Sequence, residues 1–226
     1  MHRRNFLLGL SNFGLLMFTG TAVESRAAGT VFNITWRDLN IGYSNVNIKR
    51  NGSQVVARTE VQIKVKLLGL ELFDYTLKSE EIWRNKTLFS LDSEVFTGGK
   101  REFAKVRRVK QNSFEISGSE FKGAISGNPG TTSYYTPHFL KRNVWISTQN
   151  GKPLYVDVNR VGLKMINTPN GSLEAIKWSI TGDLELDLFY DKNDEWVGSE
   201  FKAGGSKAQF VLHKKVGMIN QIWSSE

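Results

Sequence analysis

The chain has 226 residues, 30 of them Lys or Arg against 22 Asp or Glu, giving a formal net charge of +8, and it contains no cysteine. A disulfide framework, a thiol nucleophile, a zinc–thiolate site and a lipid-modified cysteine are thereby excluded, so stability must come from a packed core. The length is enough for one substantial core.

Residues 1–27 read as an export signal. Met1-His2-Arg3-Arg4-Asn5-Phe6-Leu7-Leu8 opens an apolar stretch that ends at Phe18 and falls short of the roughly 20 residues a membrane span needs. Arg3-Arg4 followed by Asn-Phe-Leu-Leu resembles a twin-arginine signal. The alternatives are an ordinary secretory signal with a chance arginine pair and a surface amphipathic helix of a cytosolic protein. Ser25 and Ala27 supply the small residues a signal peptidase requires, so cleavage is expected after Ala27, leaving residues 28–226 as a single periplasmic domain. That cut removes Arg3, Arg4, Arg26 and Glu24 and lowers the net charge from +8 to +6. A moderate basic excess suits an anionic envelope surface or simple solubilisation; its tightest cluster is Lys105, Arg107, Arg108 and Lys110. Nucleic acid is not expected as a partner in that compartment.

From Thr59 to Leu67 the chain alternates, with Val61, Ile63, Val65 and Leu67 on one face and Glu60, Gln62, Lys64 and Lys66 on the other, as in a strand with one wet side. The pattern returns at Phe114 and Ile116, at Leu154, Val156 and Val158, at Trp178 and Ile180, and at Phe210 and Leu212. It is longest at Leu184, Leu186, Leu188 and Tyr190, opposed by Asp183, Glu185, Asp187 and Asp191, with Phe189 as the exception. Turn signals such as Asn51-Gly52-Ser53, Asn85-Lys86, Gly98-Gly99, Asn150-Gly151, Pro169-Asn170-Gly171 and Gly204-Gly205 separate β-rich runs. No helical stretch long enough for a parallel crossover intervenes, so a meander of about ten antiparallel strands is expected. The fold class is mainly β: a single, strongly curved antiparallel sheet, a half-barrel or open barrel, with a short helical lid.

Between Gly123 and Asn143 the rhythm breaks. Gly127-Asn128-Pro129-Gly130 reads as a loop, and Thr136-Pro137 suits an N-cap and first helical position, predicting a short helix from Pro137 to about Arg142. That helix either covers an open side or end of the sheet or is a plain crossover. After the last clear strand, Val216-Gly217-Met218-Ile219-Asn220-Gln221-Ile222-Trp223 either packs back on the sheet, the expected outcome, or ends disordered.

Trp36-Arg37-Asp38-Leu39-Asn40-Ile41-Gly42, Glu80-Glu81-Ile82-Trp83, Asn150-Gly151-Lys152-Pro153-Leu154, and the run from Gly182 to Asp191 continuing through Trp196-Val197-Gly198 resemble a family of exported bacterial proteins recorded as a domain of unknown function. Asn85-Lys86 stands where that family pattern has an Asp-Gly turn. More remotely, the strand order is similar to lipoprotein-carrier half-barrels of the LolA and LolB type. That likeness implies a hydrophobic cavity for acyl chains, and a fold likeness alone is weak warrant for function.

Catalytic chemistry is sparse. Outside the signal the histidines are His138 and His213, too few for a histidine-rich metal site. Glu80 and Glu81 are adjacent on a strand and point to opposite faces. Asp183, Glu185 and Asp187 share a face and fit the wet side of a strand better than a calcium or glycosidase site. No nucleophile elbow or phosphate loop occurs, so neither an enzyme nor a cofactor is expected. The expected role is binding of a hydrophobic or lipid-like ligand by Val61, Ile63, Val65, Trp83, Trp178, Leu186 and Leu188, with Phe139 and Leu140 from the lid. The alternative is a structural or interaction protein that docks on an envelope partner through its basic face.

Overall fold

A computed structural model describes residues 26–67 and 70–224, so all but the last two residues of the proposed 1–27 signal lie outside the described residues. One half of the chain is a run of eight strands: β1 (Arg26–Trp36), β2 (Leu39–Asn51), β3 (Gln54–Leu67), β4 (Leu70–Arg84), β5 (Thr87–Thr97), β6 (Lys100–Lys110), β7 (Ser113–Gly118) and β8 (Lys122–Ser126). The other half holds β9 (Gly130–Thr131), a 3-10 turn (Pro137–Lys141), β10 (Val144–Ile146), β11 (Pro153–Thr168), β12 (Gly171–Gly182), β13 (Leu186–Tyr190), β14 (Trp196–Ala203), β15 (Ser206–Val216) and the helix α1 (Ile219–Ser224).

All fifteen strands join one sheet in the order β8 to β1, then β15 to β9. The first and last strands therefore pair at its middle, from Gly29 opposite Val216 to Trp36 opposite Ala208. The sheet is antiparallel as expected, apart from the short β9–β10 pair at one edge, which is parallel. The sheet curls until its two ends touch. Glu120 donates its backbone N–H to the Asn150 carbonyl at 3.1 Å, and a Cβ on Gly118 would lie 2.1 Å from that same oxygen, so only glycine fits the seam. Among the described residues no strand pairing bridges this seam, so the sheet stays an open barrel.

The five strands beyond the expected ten have physical reasons for escaping notice. Inward positions of β1 and β2 include the buried Thr30 and Ser44 beside Phe32, Ile34, Val46 and Ile48, which blurs the hydropathy alternation. Strands β9 and β10 are too short to show a period, and β8 buries no residue fully. Leu186, Leu188 and Tyr190 face inward as expected, but Leu184 and Glu185 precede β13 in a loop. Phe189, the exception in that run, is buried on the outer face against Ala175 and Val197, beneath the β11–β12 hairpin.

Tight hairpins turn as the residue pairs predict. Gly98-Gly99 sits at φ +53° and +76°, and Asn85-Lys86 adopts the same left-handed conformation at φ +49° and +60° without a glycine. The Arg142 guanidinium holds that second turn by donating to the Lys86 carbonyl at 2.7 Å.

Thr136 caps the 3-10 turn, accepting from the His138 N–H at 3.3 Å. The segment from Gly130 to Thr148 runs inside the curl and closes one end of it. There Phe139 and Trp83 stack with ring centroids 5.2 Å apart, and Trp223 of α1 meets Trp83 edge-on at 5.1 Å. The C-terminal tail thus packs back, burying Ile219, Ile222 and Trp223. Glu195 accepts from the backbone N–H groups of Ile219 and Asn220 at 3.0 and 2.7 Å and fixes the start of α1.

Candidate functional site

The inner face of β4 gives the axis of the barrel. From the plugged end it presents Trp83, Glu81, Ser79, Leu77, Tyr75 and Phe73, and the strand register sets each level across the neighbours. Trp83 lies level with Val55 and Leu88, Glu81 with Ala57 and Leu91, Ser79 with Thr59 and Ser93, and Leu77 with Val61 and Val95. The interior therefore passes from an aromatic plug through a polar layer to apolar walls.

Glu81 forms the deepest part of the polar layer. Its carboxyl is 1% exposed and accepts from the Trp83 indole N–H at 2.9 Å, the Tyr135 hydroxyl at 2.8 Å and the Ser133 hydroxyl. Burial raises its pKa above the ordinary value of 4.5 despite those donors. Arg142 is the cation nearest the plug, with its guanidinium carbon 5.3 Å from the Trp83 ring centre. Burial lowers its pKa to about 10, so it stays charged at neutral pH. Above Glu81, Ser93 donates to the Thr148 carbonyl and Thr132 pairs with the Thr148 hydroxyl at 2.9 Å, which ties the inner segment to the sheet wall.

Beyond this layer a cavity of about 680 Å³ opens toward the other end of the barrel. Its walls come from both arms of the sheet: Val61, Ile63 and Val65 of β3 face Leu186 of β13 and Phe201 of β14, with Trp36 and Phe73 toward the mouth. Thr59, level with Ser79, lies at its floor, and Ser44, Ser133, Ser147, Thr148 and Ser199 add hydroxyls to the lining. The lining includes Glu185 but no Lys, Arg or His among the described residues. Tyr75 and Tyr134 also face it; burial, reinforced by neighbouring negative charge, raises both phenol pKa values, so both remain neutral hydroxyls.

The structure divides the expected ligand-binding set. Val61, Ile63, Val65 and Leu186 line the cavity. Trp83, Phe139, Leu140 and Leu188 do not: all four are buried in the packed interior, and Trp83 and Phe139 interlock with Trp223 instead of leaving space. Trp178 is half-buried against that core and also lies off the cavity wall. Sequence alternation identifies which residues face inward but not where along the barrel filling gives way to space. The lining hydroxyls were missed because isolated Ser and Thr carry no motif; their one legible sign is polar residues at inward positions of β2, β3 and β4.

The other candidates are dispersed. Asp183 accepts from the Tyr155 N–H at 2.9 Å, Asp187 pairs with Lys177 at 2.7 Å, and Glu185 lies at the cavity, so these three carboxylates form no common wet face. Among the described residues no group of three or more His, Asp or Glu side chains is placed to hold a metal ion. His138 is half-buried, and burial lowers its pKa, helped by Lys86, Lys141 and Arg142. In the basic cluster, Arg107 is engaged by Asp92 at 2.7 Å and by the Leu91 carbonyl, while Arg108 donates to the Lys110 carbonyl.

A solved structure shares this fold: a beta-barrel-like protein of the domain of unknown function DUF1849 from Brucella abortus, with a TM-score of 0.60 and 7% sequence identity over 86% of this chain and 98% of that one. At so low an identity the match bears on fold alone. No curated protein matches the chain. These comparisons do not confirm the likeness to LolA- and LolB-type carriers. The sequence pattern described as the domain of unknown function DUF6134 matches residues 32–213, from β1 to β15, and the chain belongs to that family.

Proposed function

We propose that this protein binds a hydrophobic or lipid-like ligand, without catalysis, in the open cavity of its curved sheet. The cavity itself carries the reading: about 680 Å³, walled mainly by apolar side chains and open at one end. That volume falls within the roughly 300–1,000 Å³ of small-molecule sites, and apolar area removed from water gives about 25 cal/mol per Å² before association costs. The plug supports the reading as well, since Trp83, Phe139 and Trp223 fill one end and leave the other unfilled.

Export is part of the proposal. Pairing of β1 with β15 starts at Gly29, so a cut after Ala27 takes only the exposed Arg26 and Ala27 from the described fold and leaves the buried Ala28 first. Intact-mass measurement of protein from the periplasmic fraction is expected to give a chain beginning at Ala28.

Native mass spectrometry of protein purified from its own envelope, followed by organic extraction, tests the binding. A stoichiometric lipid or other apolar molecule is the expected result. A clean apo mass, with emission of Trp36 and Trp196 at the cavity unmoved by added neutral and anionic lipids, overturns the reading.

A further inference from the structure

We propose that the cavity selects an uncharged amphiphile with a hydroxyl-bearing head, such as a monoacylglycerol or long-chain alcohol, seated head-down on the floor with its chain along the apolar walls. This rests on the cavity being the ligand site and adds which chemistry it accepts. Four features carry it.

The first is the gradient along the barrel. On β3 and β4, Thr59 and Ser79 stand level with each other between the Glu81 layer and Val61–Leu77, so along these two strands polar groups lie at the bottom and apolar ones above. A chain alone would leave that floor without partners, at the cost of desolvating several hydroxyls.

The second is unused bonding capacity. The hydroxyls of Ser44, Thr59, Ser199, Tyr75 and Tyr134 line the cavity, and no described side chain or backbone group engages them. Ser44 and Ser199 are only 1% and 2% exposed, so what they lack inside the protein a bound head can supply. Each of these hydroxyls can donate and accept, which matches an alcohol or glycerol group.

The third is charge. No Lys, Arg or His lines the cavity among the described residues, and the acidic groups nearby are Glu185 in the lining, Glu81 beneath Ser133 and Glu102, which accepts from the lining Gln149. An ionised carboxylate or phosphate brought to this floor loses hydration, gains no cation and meets like charge. Arg142 does not serve, because it lies over the Trp83 and Phe139 rings in the plug and donates to the carbonyls of Pro129 and Lys86.

The fourth is that Tyr75 and Tyr134 stay neutral, so they contribute no repulsion and remain donors to a head-group oxygen.

The test compares ligands of one chain length, monolaurin and laurate, titrated at pH 8 into delipidated full-length mature protein and read by tryptophan emission. Monolaurin is expected to bind at least about tenfold more tightly, because laurate is ionised there. Thr59→Val and Ser199→Ala, near-isosteric changes whose folding a thermal melt checks, should weaken monolaurin several-fold and leave laurate nearly unchanged. Val61→Trp, which fills the cavity, should abolish binding of both. If laurate binds as tightly as monolaurin and Val61→Trp abolishes it, the ligand class is wrong while the cavity reading stands. If neither ligand binds, or Val61→Trp leaves binding intact, the cavity reading itself fails.

Discussion

A carboxyl as enclosed as that of Glu81 is kept in place by the groups that donate to it. Trp83, Tyr135 and Ser133 come from the wall and from the inner segment, so one side chain joins the plug to the sheet. Glu81→Leu leaves those three donors without an acceptor and is expected to cost about 3 kcal/mol or more in urea unfolding. The titration has a definite sign. Because the folded pKa lies above the ordinary 4.5, the unfolded chain releases its proton first, and stability falls as pH rises from 4.5 through the folded value. Glu195 shifts in the same direction, with burial outweighing its two backbone donors, while His138, lowered from 6.5, works oppositely and loses stability as pH falls below that value. Glu81→Gln removes one of these contributions. Its unfolding free energy, measured from pH 4 to pH 8, should therefore fall less steeply with rising pH than that of the natural chain; an unchanged slope would show that Glu81 does not titrate on folding.

Among the elements, α1 is short yet among the most consequential, because its six residues bring Trp223 against Trp83, Tyr135 and Phe139. Arg50 holds its far end, donating to the Ile222 carbonyl at 2.7 Å and the Trp223 carbonyl at 3.0 Å. Trp223→Ala is expected to cost about 3–5 kcal/mol and to lower the melting temperature by about 10 °C, measured calorimetrically. A shift below about 2 °C would mean that the plug does not depend on the helix. The tail's apolar residues could be read from sequence, but their destination could not, since the rings that Trp223 meets lie more than eighty residues away. The same limit explains the rest. Strand β3 was legible because its inward Val61, Ile63 and Val65 alternate with polar residues, and the 3-10 turn because Thr136-Pro137 is a local signal. The cavity was legible only in part, because Trp83 and Val61 alternate inward alike and differ only in their level along the barrel.

At the scale of the whole molecule, the sheet is two meanders joined at one line. Strands β1 to β8 form one arm, β15 back to β9 form the other, and β1 pairs with β15 between them. The chain crosses from arm to arm at the exposed loop around Gly127 and Asn128, where a break disturbs no strand. Each arm alone would expose a long central strand as an edge, and backbone groups so exposed invite aggregation. The arms also share the interior: Trp83 and Glu81 of the first need Phe139, Tyr135 and Trp223 of the second. Fragments 28–127 and 128–226 are therefore expected to be insoluble when produced separately and to form a soluble one-to-one complex when co-expressed, with the blue-shifted tryptophan emission of the intact chain. Size-exclusion chromatography with mass detection reads the outcome. A soluble, monomeric first fragment with a cooperative melt would show that its arm folds without the β1–β15 pairing and that the chain's ends are not its structural centre.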